Sequence, residues 1–64
     1  MVYQVEEARR IIANHGFIGR VSAQGGMLVV YEGEEHAPGT WMEIGRLGIR
    51  KGTVMGSDIE RIVA

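Results

Sequence analysis

The chain contains no cysteine and only one proline among its 64 residues. The lack of cysteine excludes disulfide bonds and the thiolate zinc sites that stabilise many very small proteins. No apolar run approaches the roughly 20 residues that a membrane-spanning helix needs. The formal charge is −1 at pH 7, so the molecule as a whole does not attract nucleic acid or an anionic membrane. Binding to a polyanion would require basic side chains gathered on one face.

The small size favours association between copies of the chain. A protein of this length buries only about 60% of its unfolded surface, so its core is thin. With disulfides excluded, metals and partner subunits are the remaining ways to stabilise such a core. The apolar fraction of 45% is high for so small a protein. We therefore expect part of the apolar surface to face another subunit of a homo-oligomer.

The sequence carries no catalytic signature. It has no cysteine nucleophile, no serine beside a base and no pair of carboxylates on one rigid element. Glu34, Glu35 and His36 have metal-ligating atoms, but consecutive residues on a loop seldom converge on one ion. We expect no enzyme, metal, cofactor or small-molecule substrate. The first residues lack a signal sequence, which predicts a cytoplasmic protein without a membrane partner.

The first part of the chain has the pattern of an amphipathic helix over residues 3–14. Apolar side chains recur there at three- and four-residue spacing, and acidic residues lie in the first turn. Asn14-His15-Gly16 is typical of a left-handed helix end. We interpret His15 as a cap on this helix rather than as a catalytic base.

Ten glycines punctuate short β-branched runs in the rest of the chain. Glycine allows a strand to bend, bulge or turn. The predicted strands are residues 17–22, 27–32, 40–44 and 49–54. The predicted turns are a hairpin at Gly25-Gly26 and a type II turn at Pro38-Gly39.

The last segment is compatible with two structures. Ser57 and Glu60 fit a capping box at the start of a short helix, with apolar residues following at helical spacing. The same residues could form a strand after a tight turn at Gly56-Ser57. Because so short a terminal helix is weak in isolation, we favour a strand over 57–63.

The order of these elements resembles that of Sm and Sm-like proteins. Residues 17–21 are similar to the first-motif strand, written aromatic-x-Gly-x-aliphatic, and 27–32 to the stretch that follows it. Residues 56–62 resemble the second motif, where a Gly-polar-polar-aliphatic turn leads into the closing strand. Residues 39–45 are also similar to the Sm-like middle domain of mechanosensitive channels, a likeness that concerns fold alone.

The resemblance implies one mostly β domain over residues 1–64. Its fold is a small, strongly bent, five-stranded antiparallel Sm-like or SH3-like barrel over 17–63, preceded by the helix at 3–14. Members of the family join edge to edge in rings, so a homo-oligomeric ring with no exposed strand edge is implied here.

The base-reading positions depart from the family pattern. Family members read a base at the pore of the ring with an Asp, an Asn and an Arg, and the matching residues here are Gln24, Leu28 and Met55. Leu28 cannot hydrogen-bond a base edge, and Met55 cannot bind a phosphate as a guanidinium does. Only Gly56 and Asp58 keep the pattern.

Two functions remain open at this point. The first is weak binding of single-stranded RNA or DNA by the ring. The residues predicted for it are Arg46, Arg50 and Lys51 at phosphates, Met55, Gly56 and Asp58 around a pocket, and Trp41 as a stacking platform. The alternative without a binding role is that the basic residues form a solvated strand face and that Trp41 anchors the core or a subunit contact. The second function is a ring-forming scaffold or protein-interaction module, of phage origin, without nucleic-acid binding. The family resemblance favours the first, and Leu28 and Met55 favour the second.

Overall fold

The computed structural model describes all residues from Met1 to Ala64. The strands are β1 (Val2–Gln4), β2 (Ile18–Val21), β3 (Met27–Glu32), β4 (Met42–Gly48) and β5 (Thr53–Met55). The α-helices are α1 (Val5–Asn14), which follows β1, and α2 (Gly56–Val63), which follows β5; a 3₁₀ turn covers Pro38–Thr40. Both α-helices are too short and too polar to cross a bilayer.

The five strands form two antiparallel sheets. β1 pairs with β5, and β2, β3 and β4 form a three-stranded meander. The prediction of a mostly β fold with antiparallel strands and an amino-terminal helix is confirmed; the strands number five as predicted, but β1 stands in place of the strand predicted over 57–63. No strand ladder joins the two sheets.

The core lies on one face of the three-stranded sheet, which we call the inner face. Leu28, Val30 and Leu47 are fully buried there. The two helices supply the covering side chains, among them Ile12 from α1 and Ile59 from α2. The opposite face of the same sheet, which we call the outer face, carries no helix and is described below with the candidate site.

The amino-terminal helix begins two residues later than predicted. Val2–Gln4 is strand rather than helix, because Val2 pairs with Met55 and Tyr3 with Val54 in the ladder with β5. The predicted end is confirmed. His15 caps α1, its Nδ1 lies 2.9 Å from the carbonyl oxygen of Ile11, and Gly16 follows with φ of 88°.

The predicted strand over 57–63 is wrong, because Gly56–Val63 is the helix α2. Its apolar residues share one face that closes the core, where Ile59 is buried and Ile62 packs against it. The capping box is also absent, since the N-cap position is Met55 and no side chain bonds there. Tertiary packing therefore stabilises a helix that is too short to form alone.

The predicted boundaries of two strands are wrong because glycines were taken as the ends of strands. The predicted strands 40–44 and 49–54 are instead β4, which runs through Gly45 to Gly48, and the short β5. Gly45 does not interrupt β4. Its lack of a side chain makes room for Ile62 of α2. Pro38-Gly39 lies in the 3₁₀ turn, since Gly39 lacks the left-handed φ of a type II turn. The Gly25-Gly26 hairpin turn is confirmed, with φ of 78° at Gly25.

Candidate functional site

A β-bulge in β4 determines which side chains occupy the outer face. The pairing of β3 with β4 shifts between Val30 and Tyr31, which leaves Ile44 as the extra residue. Because side chains alternate along a strand, Glu43 and Arg46 would otherwise lie on opposite faces. The bulge brings both to the outer face, where Arg46 Nε donates to Glu43 Oε2 at 2.7 Å.

In this ion pair the carboxylate of Glu43 compensates the positive charge of Arg46. Arg46 donates to both carboxylate oxygens of Glu43, and its hydrogen bond lowers the pKa of Glu43. The same hydrogen bond raises the pKa of Arg46. Arg46, predicted as a phosphate contact, therefore lies on the outer face but is engaged with an acid of its own strand.

An aromatic pair capped by a guanidinium lies at one end of the outer face. The ring centroids of Tyr31 and Trp41 are 5.5 Å apart, with their planes tilted by 36°. The Arg20 Cζ atom lies 5.1 Å from the centroid of Trp41. Trp41 Nε1 also donates to the carbonyl oxygen of Glu34 at 2.7 Å, which ties the loop after β3 to the sheet. Trp41 is thus half-buried and anchors this loop, while Tyr31 and Arg20 contact its ring.

The other end of the outer face leads into a two-residue hairpin. Arg50 and Thr53 exchange both backbone hydrogen bonds at 2.9 Å, and Lys51 and Gly52 between them have φ of 53° and 76°. Two left-handed residues in a two-residue loop form a type I′ turn. Leu47 and Ile49 both pack on the core, so strand alternation directs Arg46 and Arg50 to the opposite, outer side.

The basic residues divide into paired and unpaired groups. Three arginines form ion pairs with an acid three positions away: Arg9 with Glu6, Arg46 with Glu43 and Arg61 with Asp58. The remaining cations have no acid within ion-pair distance: Arg10, Arg20, Arg50 and Lys51. All of these except Arg10 belong to the outer face or to the hairpin at its end.

The other predicted site residues lie elsewhere. Met55 and Gly56 are at the junction of β5 with α2, where the Gly56 N–H donates to the carbonyl oxygen of Met1 at 2.8 Å. Asp58 is engaged with Arg61 on α2. Because α2 packs on the inner face, the sheet separates these residues from Trp41.

Sequence reasoning missed a hollow beside β2. Its volume is about 250 Å³, and its polar lining includes Arg9 from α1, Arg20 from β2 and Glu35 from the loop after β3. Phe17 forms part of its apolar wall. No local motif could have indicated this site, because packing of α1 against β2 places Arg9 and Arg20 in the lining of one hollow.

Metal-ligating side chains do not converge anywhere in the molecule, and no three His, Asp or Glu residues are placed to hold one ion. Glu34, Glu35 and His36 lie in an exposed loop. No protein-family model, curated protein or solved structure matches this chain, so the Sm-like resemblance stands on the sequence motifs alone.

Proposed function

We propose that this protein binds single-stranded nucleic acid weakly through the outer face of its three-stranded sheet. The observation that carries the proposal is the distribution of unpaired cations. Arg20, Arg50 and Lys51 have no acidic partner, and they flank or extend a face that also bears Tyr31 and Trp41. Cations along a backbone track with aromatic side chains nearby are the usual basis of single-strand binding.

The charges suggest how a strand would lie on this face. The loop beside Trp41 contains Glu34 and Glu35, which repel phosphates, whereas the hairpin of Arg50 and Lys51 is the basic end. The phosphate backbone would therefore be held mainly at the hairpin. With so few unpaired cations, the affinity would be low and strongly dependent on salt.

The resemblance to Sm-like proteins supports RNA as the natural ligand and a ring of bent barrels as the assembly. The family's pore is a weaker guide, because the segment that resembles its closing strand is the helix α2. In this proposal Met55, Gly56 and Asp58 do not contact the strand. They would shape the protein around the junction of β5 with α2.

Fluorescence anisotropy with labelled oligo-U, oligo-A and mixed-sequence RNA tests the proposal at low and physiological salt. Arg50→Gln should weaken binding and reduce the dependence on salt by about 0.7 in log–log slope for each phosphate that the variant no longer neutralises. Arg10→Gln is the matched control, because it removes the same charge from an exposed, unpaired arginine on α1. Absence of binding at low salt, or equal weakening in both variants, would reject the proposal.

A second candidate function is a self-associating interaction module. Six large apolar side chains are exposed on this small molecule: Met1, Val2, Val21, Met42, Ile44 and Met55. Exposed apolar area of this kind often marks a protein interface.

A further inference from the structure

We propose that the hollow beside β2 binds a nucleoside monophosphate, with the phosphate held between Arg9 and Arg20. The hollow opens between the end of α1, β2 and the loop after β3, and its volume is about 250 Å³. This is slightly below the usual range of small-ligand pockets, which begins at about 300 Å³, and so suits a small ligand such as a single nucleotide. The inference does not depend on binding of a longer strand by the outer face.

The two guanidinium groups are already oriented. Arg9 Nε donates to the Gly19 carbonyl oxygen at 3.0 Å, and its Nη1 donates to Glu6 at 2.9 Å. Its Nη2 has no partner in the protein. Arg20 is held by its contact with the ring of Trp41, and none of its guanidinium N–H groups is used in a hydrogen bond within the chain. A planar guanidinium held in this way keeps its edge free for bidentate binding of a phosphate.

The remaining wall suits a base better than a second anion. The charge of Arg9 is shared with Glu6, and Glu35 also lines the hollow. A free polyanion would therefore meet a carboxylate as well as the arginines. A carboxylate accepts hydrogen bonds from the N–H groups of a base, and Phe17 offers an aromatic surface for contact with it.

Three glycines line the hollow: Gly16, Gly19 and Gly33. The space beside Gly16 is open, whereas a Cβ atom added at Gly19 or Gly33 would meet Ile12 or Trp41 of the chain itself. The amide signals of these three glycines provide local probes, since each reports on a different part of the wall.

Titration of the isotope-labelled chain with 5′-GMP, followed by amide NMR, tests the inference. GMP presents adjacent N–H donors on its base, which the carboxylate of Glu35 can accept. We expect saturable shifts at Gly16, Gly19 and Gly33, with Gly48 unaffected. Ribose 5-phosphate, which lacks the base, and guanosine, which lacks the phosphate, should each bind at least about tenfold more weakly.

Substitutions distinguish specific binding of GMP in the hollow from general electrostatic attraction to the protein. Arg20→Gln should weaken GMP binding at least about tenfold, whereas Arg10→Gln should leave it unchanged. Arg20→Lys keeps the charge and the fold but removes the planar fork of donors, and it should also bind poorly. The dispersion of the amide spectrum shows whether each variant is folded.

Several outcomes would overturn the inference: shifts spread evenly over the surface, ribose 5-phosphate binding as well as GMP, or equal effects of Arg10→Gln and Arg20→Gln. Binding of GMP without binding of any oligonucleotide would leave this inference standing and reject the proposed function. The reverse result would reject only the nucleotide site.

Discussion

At the scale of single residues, Gly45 is the glycine with the least room for a side chain, because Ile62 of α2 packs against it. A Cβ atom added at Gly45 would lie 2.6 Å from Ile62 Cδ1 and 2.9 Å from its Cγ1. Gly45→Ala should therefore displace α2 or force a strained rotamer, and lower the free energy of unfolding by about 1–3 kcal/mol. Urea denaturation followed by circular dichroism measures this decrease.

Gly48→Ala is the control for this prediction. Gly48 lies in the same strand, but nothing is within 4 Å of its added Cβ, so stability should change little. Adding Ile62→Val to Gly45→Ala should recover part of the stability, because valine lacks the Cδ1 atom that clashes. Equal stability of the two alanine variants would contradict the packing described for Gly45.

Local sequence signals were sufficient where one pattern had one interpretation. The helix end at His15-Gly16 and the hairpin at Gly25 were predicted correctly because cap and turn chemistry act within a few residues. Gly45 shows the opposite case. Gly45 was placed in a gap between the predicted strands 40–44 and 49–54, whereas its lack of a side chain accommodates a helix distant in sequence.

At the scale of elements, the hairpin between β4 and β5 has an unusual residue in its turn. Type I′ turns favour Asn-Gly, because both central residues take a left-handed φ. This hairpin has Lys51 at φ of 53°, and Lys51 is the only residue other than glycine with a positive φ. A side chain such as lysine is strained there by about 1 kcal/mol or more.

Lys51→Asn should raise the free energy of unfolding by about 0.5–1 kcal/mol, because asparagine tolerates the left-handed region. The same change removes a cation from the hairpin and should weaken RNA binding. Urea denaturation and anisotropy measure the two effects on one sample. Stabilisation together with weaker affinity would show that the strained lysine serves binding at some cost to stability.

Lys51→Gln distinguishes the effect of backbone strain on stability from the effect of charge on RNA binding. Glutamine has no special tolerance of a left-handed φ, so stability should stay near that of the parent while affinity falls as in Lys51→Asn. An asparagine variant no more stable than the glutamine variant would contradict the strain argument. Equal RNA affinity in all three proteins would remove Lys51 from the binding face.

The carboxy-terminal element shows why part of the fold could not be predicted. The spacing of Ile59 and Ile62 fits a helix, but strand pairing could also have buried them, and seven or eight residues are too few for propensity to decide. The inner face of the sheet decides, since it provides a site for Ile62 at Gly45 and buries Ile59. The hollow between Arg9 and Arg20 depends in the same way on packing of elements.

At the scale of the whole molecule, a thin core coexists with exposed apolar side chains. Met1 is 90% exposed and Met55 49% exposed. Val2 and Met55 are cross-strand partners, so these two residues form one apolar patch on the ribbon of β1 and β5, which we call the ribbon patch. Met1 lines instead a groove between the helices, together with Ile11 and Val63. An exposed apolar patch suits contact with the same patch or with the groove of a second copy, because each copy offers both.

We expect the protein to self-associate through the ribbon patch. Met55→Glu places a charge in this contact and should reduce the particle mass toward that of a single 7.0 kDa chain, as measured by light scattering with size-exclusion chromatography. Met42→Glu is the matched control. Met42 is also exposed, at the start of β4, and is not part of the ribbon patch.

The two variants also distinguish this contact from the edge-to-edge ring that the Sm-like resemblance implies. β4 is one of the two outer strands of the three-stranded sheet, so contacts along its open edge would be sensitive to Met42→Glu. Dissociation by Met42→Glu alone would therefore favour edge pairing and contradict the ribbon patch. A parent protein that stays monomeric at millimolar concentration would contradict both arrangements, because its small core would then suffice without a partner.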